Sequence, residues 1–167
     1  SCGPYSRITS TTAMTTPIKE RYFDDYQTGE SFEFGDYLIT EQEIIEFASR
    51  YDPQPFHLDH EAAAQSHFGG LVASGWMTCS VMMRLLVDHY ISPKASMGSP
   101  GVDEIRWKLP VRPGDRLRLR VSILAARRSQ SKPDRGVVTA EQALLNQNNE
   151  VVLTSKSLGM YKVRPAS

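Results

Sequence analysis

Between Tyr51 and His57 the chain reads Tyr51-Asp52-Pro53-Gln54-Pro55-Phe56-His57, a carboxylate and an imidazole separated by a stretch with two prolines. Such a pair, converging on one water, can do general acid–base work because each group can hold the proton in turn. Help of this kind is worth about 10²–10⁴-fold in rate. The prolines stiffen the turn and lower the entropy of holding the two side chains together. Taken singly, each residue has a plainer reading. Asp before Pro is an ordinary turn signal, and a lone histidine is more often a surface or packed residue. His57, His60 and His67, with Asp59, invite a metal site. Their spacings match none of the familiar zinc patterns, and a proline-rich turn is a poor preformed cage. No metal is expected, and His60 and His67 read as polar residues flanking helices.

Other chemistries find no support. Gly-rich nucleotide-binding patterns and a Ser-centred nucleophile elbow are absent, and Gly98 to Gly101 is too short and irregular for a phosphate loop. The formal net charge of +0 supplies no long-range field toward nucleic acid or an anionic membrane. An anionic substrate must then be met by a local cluster of bases. Arg127, Arg128, Lys132 and Arg135 form one such loop, though a run of this kind is usually just solvated.

The elements that must position these residues follow from periodicity. Phe32, Phe34 and Leu38 alternate with polar neighbours and predict a first strand. Thr40 followed by Glu43 is a capping-box pattern, and Ile44, Ile45, Phe47 and Ala48 recur at helical spacing. That helix should end near Tyr51, because Pro53 and Pro55 cannot continue it. Asp52 to Asp59 is then an irregular segment between helices. A short helix is expected over Glu61 to His67, stopped by Gly69-Gly70. A longer one runs from Gly75 to Ile91, apolar around most of its circumference and so enclosed on several sides. Its Met77, Met82 and Met83 read as core, with part of the stripe free to line an apolar channel. Val102 to Lys108, Arg116 to Ile123, Gly136 to Leu145 and Glu150 to Met160 read as strands, the last two joined by an Asn146 to Asn149 turn. Leu117, Leu119, Val121 and Ile123 alternate with Arg116, Arg118, Arg120 and Ser122, marking one dry and one wet face. Strand, helices, then a run of antiparallel strands predicts an α+β domain whose sheet curls around one central helix.

A chain of 167 residues with 40% hydrophobic and 23% charged content suits one soluble domain over residues 14–167. Two cysteines, Cys2 and Cys79, fit a reducing cytosol rather than a disulfide-stapled secreted fold, so a cytoplasmic location is expected. No apolar run reaches about 18 residues, so no membrane span is expected. Ser1 to Ala13 is Ser/Thr-rich, lacks the apolar stretch of a signal peptide, and reads as an added or disordered tail before Met14. A transit peptide is the weaker reading, since Arg7 is its only basic residue.

The segment Tyr51 to His57 resembles the hydratase motif of the MaoC-like dehydratase and (R)-specific enoyl-CoA hydratase family. The likeness continues through Phe68-Gly69-Gly70-Leu71-Val72-Ala73-Ser74-Gly75-Trp76, then Trp107 and Pro110-Val111-Arg112-Pro113-Gly114-Asp115, and spans roughly Tyr22 to Val163. It departs from many members at Gln54, where they carry asparagine, and at Ser74, where they carry histidine.

This resemblance implies a hot dog fold that assembles as a homodimer or a dimer-based oligomer. It implies hydration or dehydration of an enoyl thioester, from enoyl-CoA to the (R)-3-hydroxyacyl product, with acyl-CoA or acyl-carrier thioester as substrate. Asp52 and His57 would share the water, Asp52 being the favoured main base, and the backbone N–H of Gly75 would face the thioester oxygen. Glycine suits that place because a side chain would obstruct close approach. Gln54 and Ser74 would touch substrate, Gln54 shifting its preference by moving the amide one methylene, and Arg127 and Arg128 would meet the phosphates of CoA. No cofactor is implied, because the thioester itself acidifies C2. Two other functions share these features: a hot dog acyl-CoA thioesterase, and a non-catalytic subunit that binds acyl thioesters.

Overall fold

A computed structural model describes residues 16–166. The tail expected over Ser1 to Ala13, with Cys2, lies outside the described residues. Five strands form one antiparallel sheet: β1 (Ser31–Leu38), β2 (Val102–Trp107), β3 (Arg116–Arg128), β4 (Arg135–Leu145) and β5 (Val151–Lys162). Their order is β1-β3-β4-β5-β2, so the sheet is open, with β1 and β2 as its edges. The helices are α1 (Glu41–Tyr51), α2 (Pro55–Leu58), α3 (His60–Gln65) and α4 (Gly75–His89). This is the α+β hot dog arrangement, a sheet wrapped on α4. No helix among the described residues is long and apolar enough to cross a membrane.

The alternation in β3 sets the two sides of the sheet. Leu117, Leu119, Val121 and Ile123 are buried, while Arg116 pairs with Asp36, and Arg118 and Arg120 with Glu33, across the wet face. The dry side meets Met77, Val81, Met82, Leu85 and Leu86 of α4. Burial on that scale, about 25 cal/mol per Å² of apolar surface, is what fixes the helix to the sheet. The opposite side of α4 is bare: Trp76, Met83 and Val87 are 58%, 50% and 46% exposed. The expected enclosure on several sides therefore fails within one chain, and Met83 leaves the predicted core stripe. One curled sheet covers one side of a helix.

Two bulges explain where periodicity misled. The β1–β3 register shifts between Phe34 and Tyr37, where Gly35 sits at φ 94°. The extra residue turns Tyr37 inward and leaves Leu38 43% exposed, against the expected inward Leu38. A second shift between Ile123 and Ala125 breaks the alternation, which is why β3 runs on to Arg128 past the predicted end at Ile123.

The helix ends also differ in instructive ways. Thr40 Oγ1 accepts the Glu43 N–H at 3.2 Å, but the Glu43 carboxylate takes the Tyr37 hydroxyl rather than closing the capping box. Asp52 to Asp59 is less irregular than expected. Pro55 cannot extend α1 but is well placed to begin a helix, and it opens α2. The short helix α3 stops at Gln65, ahead of Gly69, because Ser66 Oγ bonds back to the Ala63 carbonyl at 2.6 Å.

The bulge offers a test of the frame. A Cβ at Gly35 would lie 2.6 Å from Leu85 Cδ2, in a backbone conformation that side chains disfavour. Gly35→Ala is expected to destabilise the protein by about 1–3 kcal/mol, from the left-handed backbone and the displaced Leu85. Urea unfolding measures this, and an unchanged midpoint would contradict the role given to the bulge.

Candidate active site

Asp52 is the residue on which α1 ends. Its N–H still bonds the Ala48 carbonyl at 2.9 Å, but its own φ of −152° and ψ of 67° leave the helix. The following turn is tight: the Gln54 N–H reaches the Asp52 carbonyl at 2.8 Å, and the His57 N–H reaches the Gln54 carbonyl at 3.0 Å. This folds His57, on α2, back over Asp52. The two side chains meet with His57 Nε2 3.3 Å from Asp52 Oδ2.

The imidazole is oriented from behind. His57 is 5% exposed, and its Nδ1 lies 2.6 Å from the Val72 carbonyl. A carbonyl can only accept, so Nδ1 carries a hydrogen and Nε2 is the nitrogen turned to the carboxylate. Phe56 meets the ring edge-on at a centroid distance of 4.5 Å and packs in turn on Phe68. Val72 is held because its N–H bonds the Phe56 carbonyl at 3.3 Å and the next N–H, of Ala73, bonds the Val111 carbonyl at 2.8 Å. Val111 belongs to the Pro-Gly-Asp turn, which Asp115 closes by accepting the Arg112 N–H at 2.9 Å. That motif therefore acts at a distance: it fixes the segment from which the histidine is aimed.

Asp52 is held by donors on both oxygens. Gln54 Nε2 donates to Oδ1 at 2.6 Å, and Ser74 Oγ donates to Oδ2 at 2.7 Å. Burial pushes the carboxyl up, but the bonds from Gln54 and Ser74, with the charge and hydrogen bond of His57, outweigh it and hold the group below the usual carboxylate range.

Asp52, Gln54, His57 and Gly75 line one cavity of about 480 Å³, walled by Phe56, Phe68, Val72, Trp76, Trp107 and Val111. Gly75 is the first residue of α4, and among the described residues its N–H makes no hydrogen bond. A helix start offers such unpaired N–H groups with a favourable dipole. Trp107 Nε1 donates to the Gly75 carbonyl at 2.8 Å, and a Cβ at Gly75 would lie 2.6 Å from that nitrogen. Glycine is thus required by the indole behind it as well as by access in front.

The residues expected to bind substrate divide between the cavity and other places. Ser74 was expected to contact substrate; it is buried and its hydroxyl is spent on Asp52, because the residue before α4 turns its side chain back toward α1. Gln54 lines the cavity, yet its amide is likewise bonded to Asp52. Arg127 and Arg128 lie at the far end of β3 from the Pro-Gly-Asp turn, about 40 Å along extended chain, and do not line the cavity. Asp59 caps α3, His60 pairs with Glu41, and His67 packs on Phe68. Trp107 and the Val72 carbonyl are site groups to which the sequence reading gave no role. A backbone acceptor carries no signal in sequence, and the contact of Trp107 with Gly75 is long-range. A second, more apolar cavity of about 370 Å³ lies beside the C-terminal half of α4 and is lined by Met82 and Met83.

The tryptophan contact is testable because the chain has only two tryptophans, packed edge-on at 5.3 Å. Gly75→Ala is expected to displace Trp107 and change the intrinsic fluorescence spectrum. A spectrum superimposable on the wild-type one would contradict the contact.

Comparison with known proteins adds the following. A family model described as MaoC like domain matches residues 25–145. A crystal structure of a MaoC-like dehydratase from Rhodospirillum rubrum is 42% identical, with a TM-score of 0.81 over 87% of this chain and 99% of that one. The 3-hydroxyacyl-thioester dehydratase Z of Mycobacterium tuberculosis is 33% identical over 88 residues, covering 52% of this chain and 58% of that protein. An (R)-hydratase from A. caviae involved in PHA biosynthesis superposes with a TM-score of 0.66 over 83% of this chain at 23% identity, a likeness of fold.

Proposed function

Because the chain belongs to the MaoC-like dehydratase family, we propose that it adds water reversibly to the double bond of an enoyl thioester, converting enoyl-CoA to 3-hydroxyacyl-CoA. The observation that carries this reading is the 3.3 Å approach of His57 Nε2 to Asp52 Oδ2 at a cavity that also holds the free Gly75 N–H. One water bound beside this pair, within hydrogen-bond reach of both carboxylate and imidazole, is the nucleophile. As its oxygen bonds to C3, its proton passes to the dyad. The π electrons move onto the thioester carbonyl, and the resulting enolate takes back from the dyad, at C2, the proton that the water gave up.

Asp52, ionised over the working pH range, is the main base. His57 shares the water through Nε2, since Nδ1 is occupied by Val72. The Gly75 N–H meets the enolate oxygen, an interaction whose loss typically costs about 10²–10³-fold in turnover. No added cofactor or metal is called for, as the thioester carbonyl itself acidifies C2. The product follows the (R) stereochemistry implied by the family resemblance. The acyl tail extends along the apolar side of α4 toward Met82 and Met83.

The bare side of α4, with Trp76, Met83 and Val87, is covered by a second copy of the chain. The Arg127–Arg128 hairpin reaches CoA phosphates across that boundary, since within one chain it does not line the cavity.

A panel of enoyl-CoAs of differing length and branching is expected to lose its conjugated-thioester absorbance on addition of the protein. No loss with any member, or release of free thiol instead, would overturn the hydratase reading, the thiol favouring a thioesterase. Asp52→Asn and His57→Gln are each expected to lower kcat by about 10²–10⁴-fold with the fold retained. Wild-type turnover in either variant would contradict the assignment.

A further inference from the structure

We propose that Ser74 is a positioning residue, tying the Asp52 carboxylate to the first turn of α4 so that base and oxyanion donor are held as one unit. The proposal rests on the hydratase reading above. It begins from a short chain of hydrogen bonds. The Trp76 N–H donates to Ser74 Oγ at 3.3 Å, and the same oxygen gives its hydrogen to Asp52 Oδ2 at 2.7 Å. Ser74 is 0% exposed, so no solvent competes for either bond. The residue capping α4 therefore also grips the last residue of the α1 turn, although the two stand far apart in sequence.

Lone-pair accounting shows what this does. A carboxylate oxygen has two in-plane acceptor positions. On Oδ1 one is taken by Gln54. On Oδ2 one is taken by Ser74, and the other faces His57 Nε2 at 3.3 Å. The Ser74 hydroxyl thus selects which side of Oδ2 is turned toward the imidazole and the cavity. A water seated there meets both members of the dyad. Without that bond the carboxylate can rotate about its Cβ–Cγ bond, and that side no longer faces Nε2. A displacement near 1 Å at such a place can cost about 10²-fold in rate.

The bond also holds Asp52 ionised, since a donor to the charged form disfavours its protonation. The groups facing Asp52 are few. His57 contacts it from α2, Lys108 lines the same cavity from the β2–β3 connection, and Gly75 to Thr78 of α4 bring no charged side chain. Removing the serine hydroxyl takes away a donor and adds no charge, so a shift in the Asp52 titration reports that bond.

The test compares Ser74→Ala and Ser74→Thr with wild type, reading steady-state kinetics against pH and the carbon-13 titration of the Asp52 carboxyl by NMR. In Ser74→Ala the carboxyl is expected to titrate at higher pH, the acid limb of kcat to move with it, and kcat to fall by roughly 10–10²-fold with little change in KM. Ser74→Thr keeps the hydroxyl and is expected to return both readings toward wild type. A kcat loss with the Asp52 titration and the acid limb unmoved would overturn the proposal, leaving Ser74 as a helix cap alone. Should wild type hydrate no enoyl thioester, the hydratase reading fails by itself. The carboxyl titration still decides, separately, whether Ser74 holds Asp52.

Discussion

The structure of this site depends on one carboxylate being reached from three places in the chain. Asp52 ends α1, His57 on α2 folds back over it, and Ser74 grips it from the start of α4. Each hydrogen bond alone is worth little net, and those to a charged group about 1.5–3 kcal/mol. What they share is a geometric consequence: the ends of separate helices cannot drift apart without stranding a charge. A partly buried charge with its partners removed is costly, so the same contacts that specify the chemistry also lock the local fold.

The rest of the molecule serves that convergence at increasing distance. The Val72 carbonyl sets the tautomer and aim of His57; Val111 holds the strand-like stretch containing Val72; the Asp115 turn holds Val111. Behind them the sheet supplies a rigid backing, with α4 bedded on Leu117, Leu119 and Val121. Because α4 is anchored along its length, its first residue, Gly75, is held at the cavity. Trp107 completes the support by bonding the Gly75 carbonyl from the edge strand.

Much of this was legible in the sequence, and the parts that were not share physical reasons. Strict alternation over Arg116 to Ile123 identified both faces of β3, and the apolar circumference of α4 identified the helix the sheet wraps. Asp52, His57 and Gly75 were singled out from the motif, and the structure brings all three to one cavity. The bulges at Gly35 and beyond Ile123 were hidden because one extra residue inverts a period of two without altering composition. Ser74 was placed against substrate from the family resemblance, while its partner, back at the end of α1, leaves no signal in sequence. Met83 looked like core because periodicity reports apolar surface and says nothing of what covers it.

The most direct measurement is a crystal structure with a 3-hydroxyacyl-CoA bound. On this account the C3 hydroxyl oxygen lies within hydrogen-bond distance of both Asp52 Oδ2 and His57 Nε2, with the thioester oxygen on the Gly75 N–H. A product bound with its C3 oxygen away from those two side chains, or its carbonyl turned from Gly75, would contradict it.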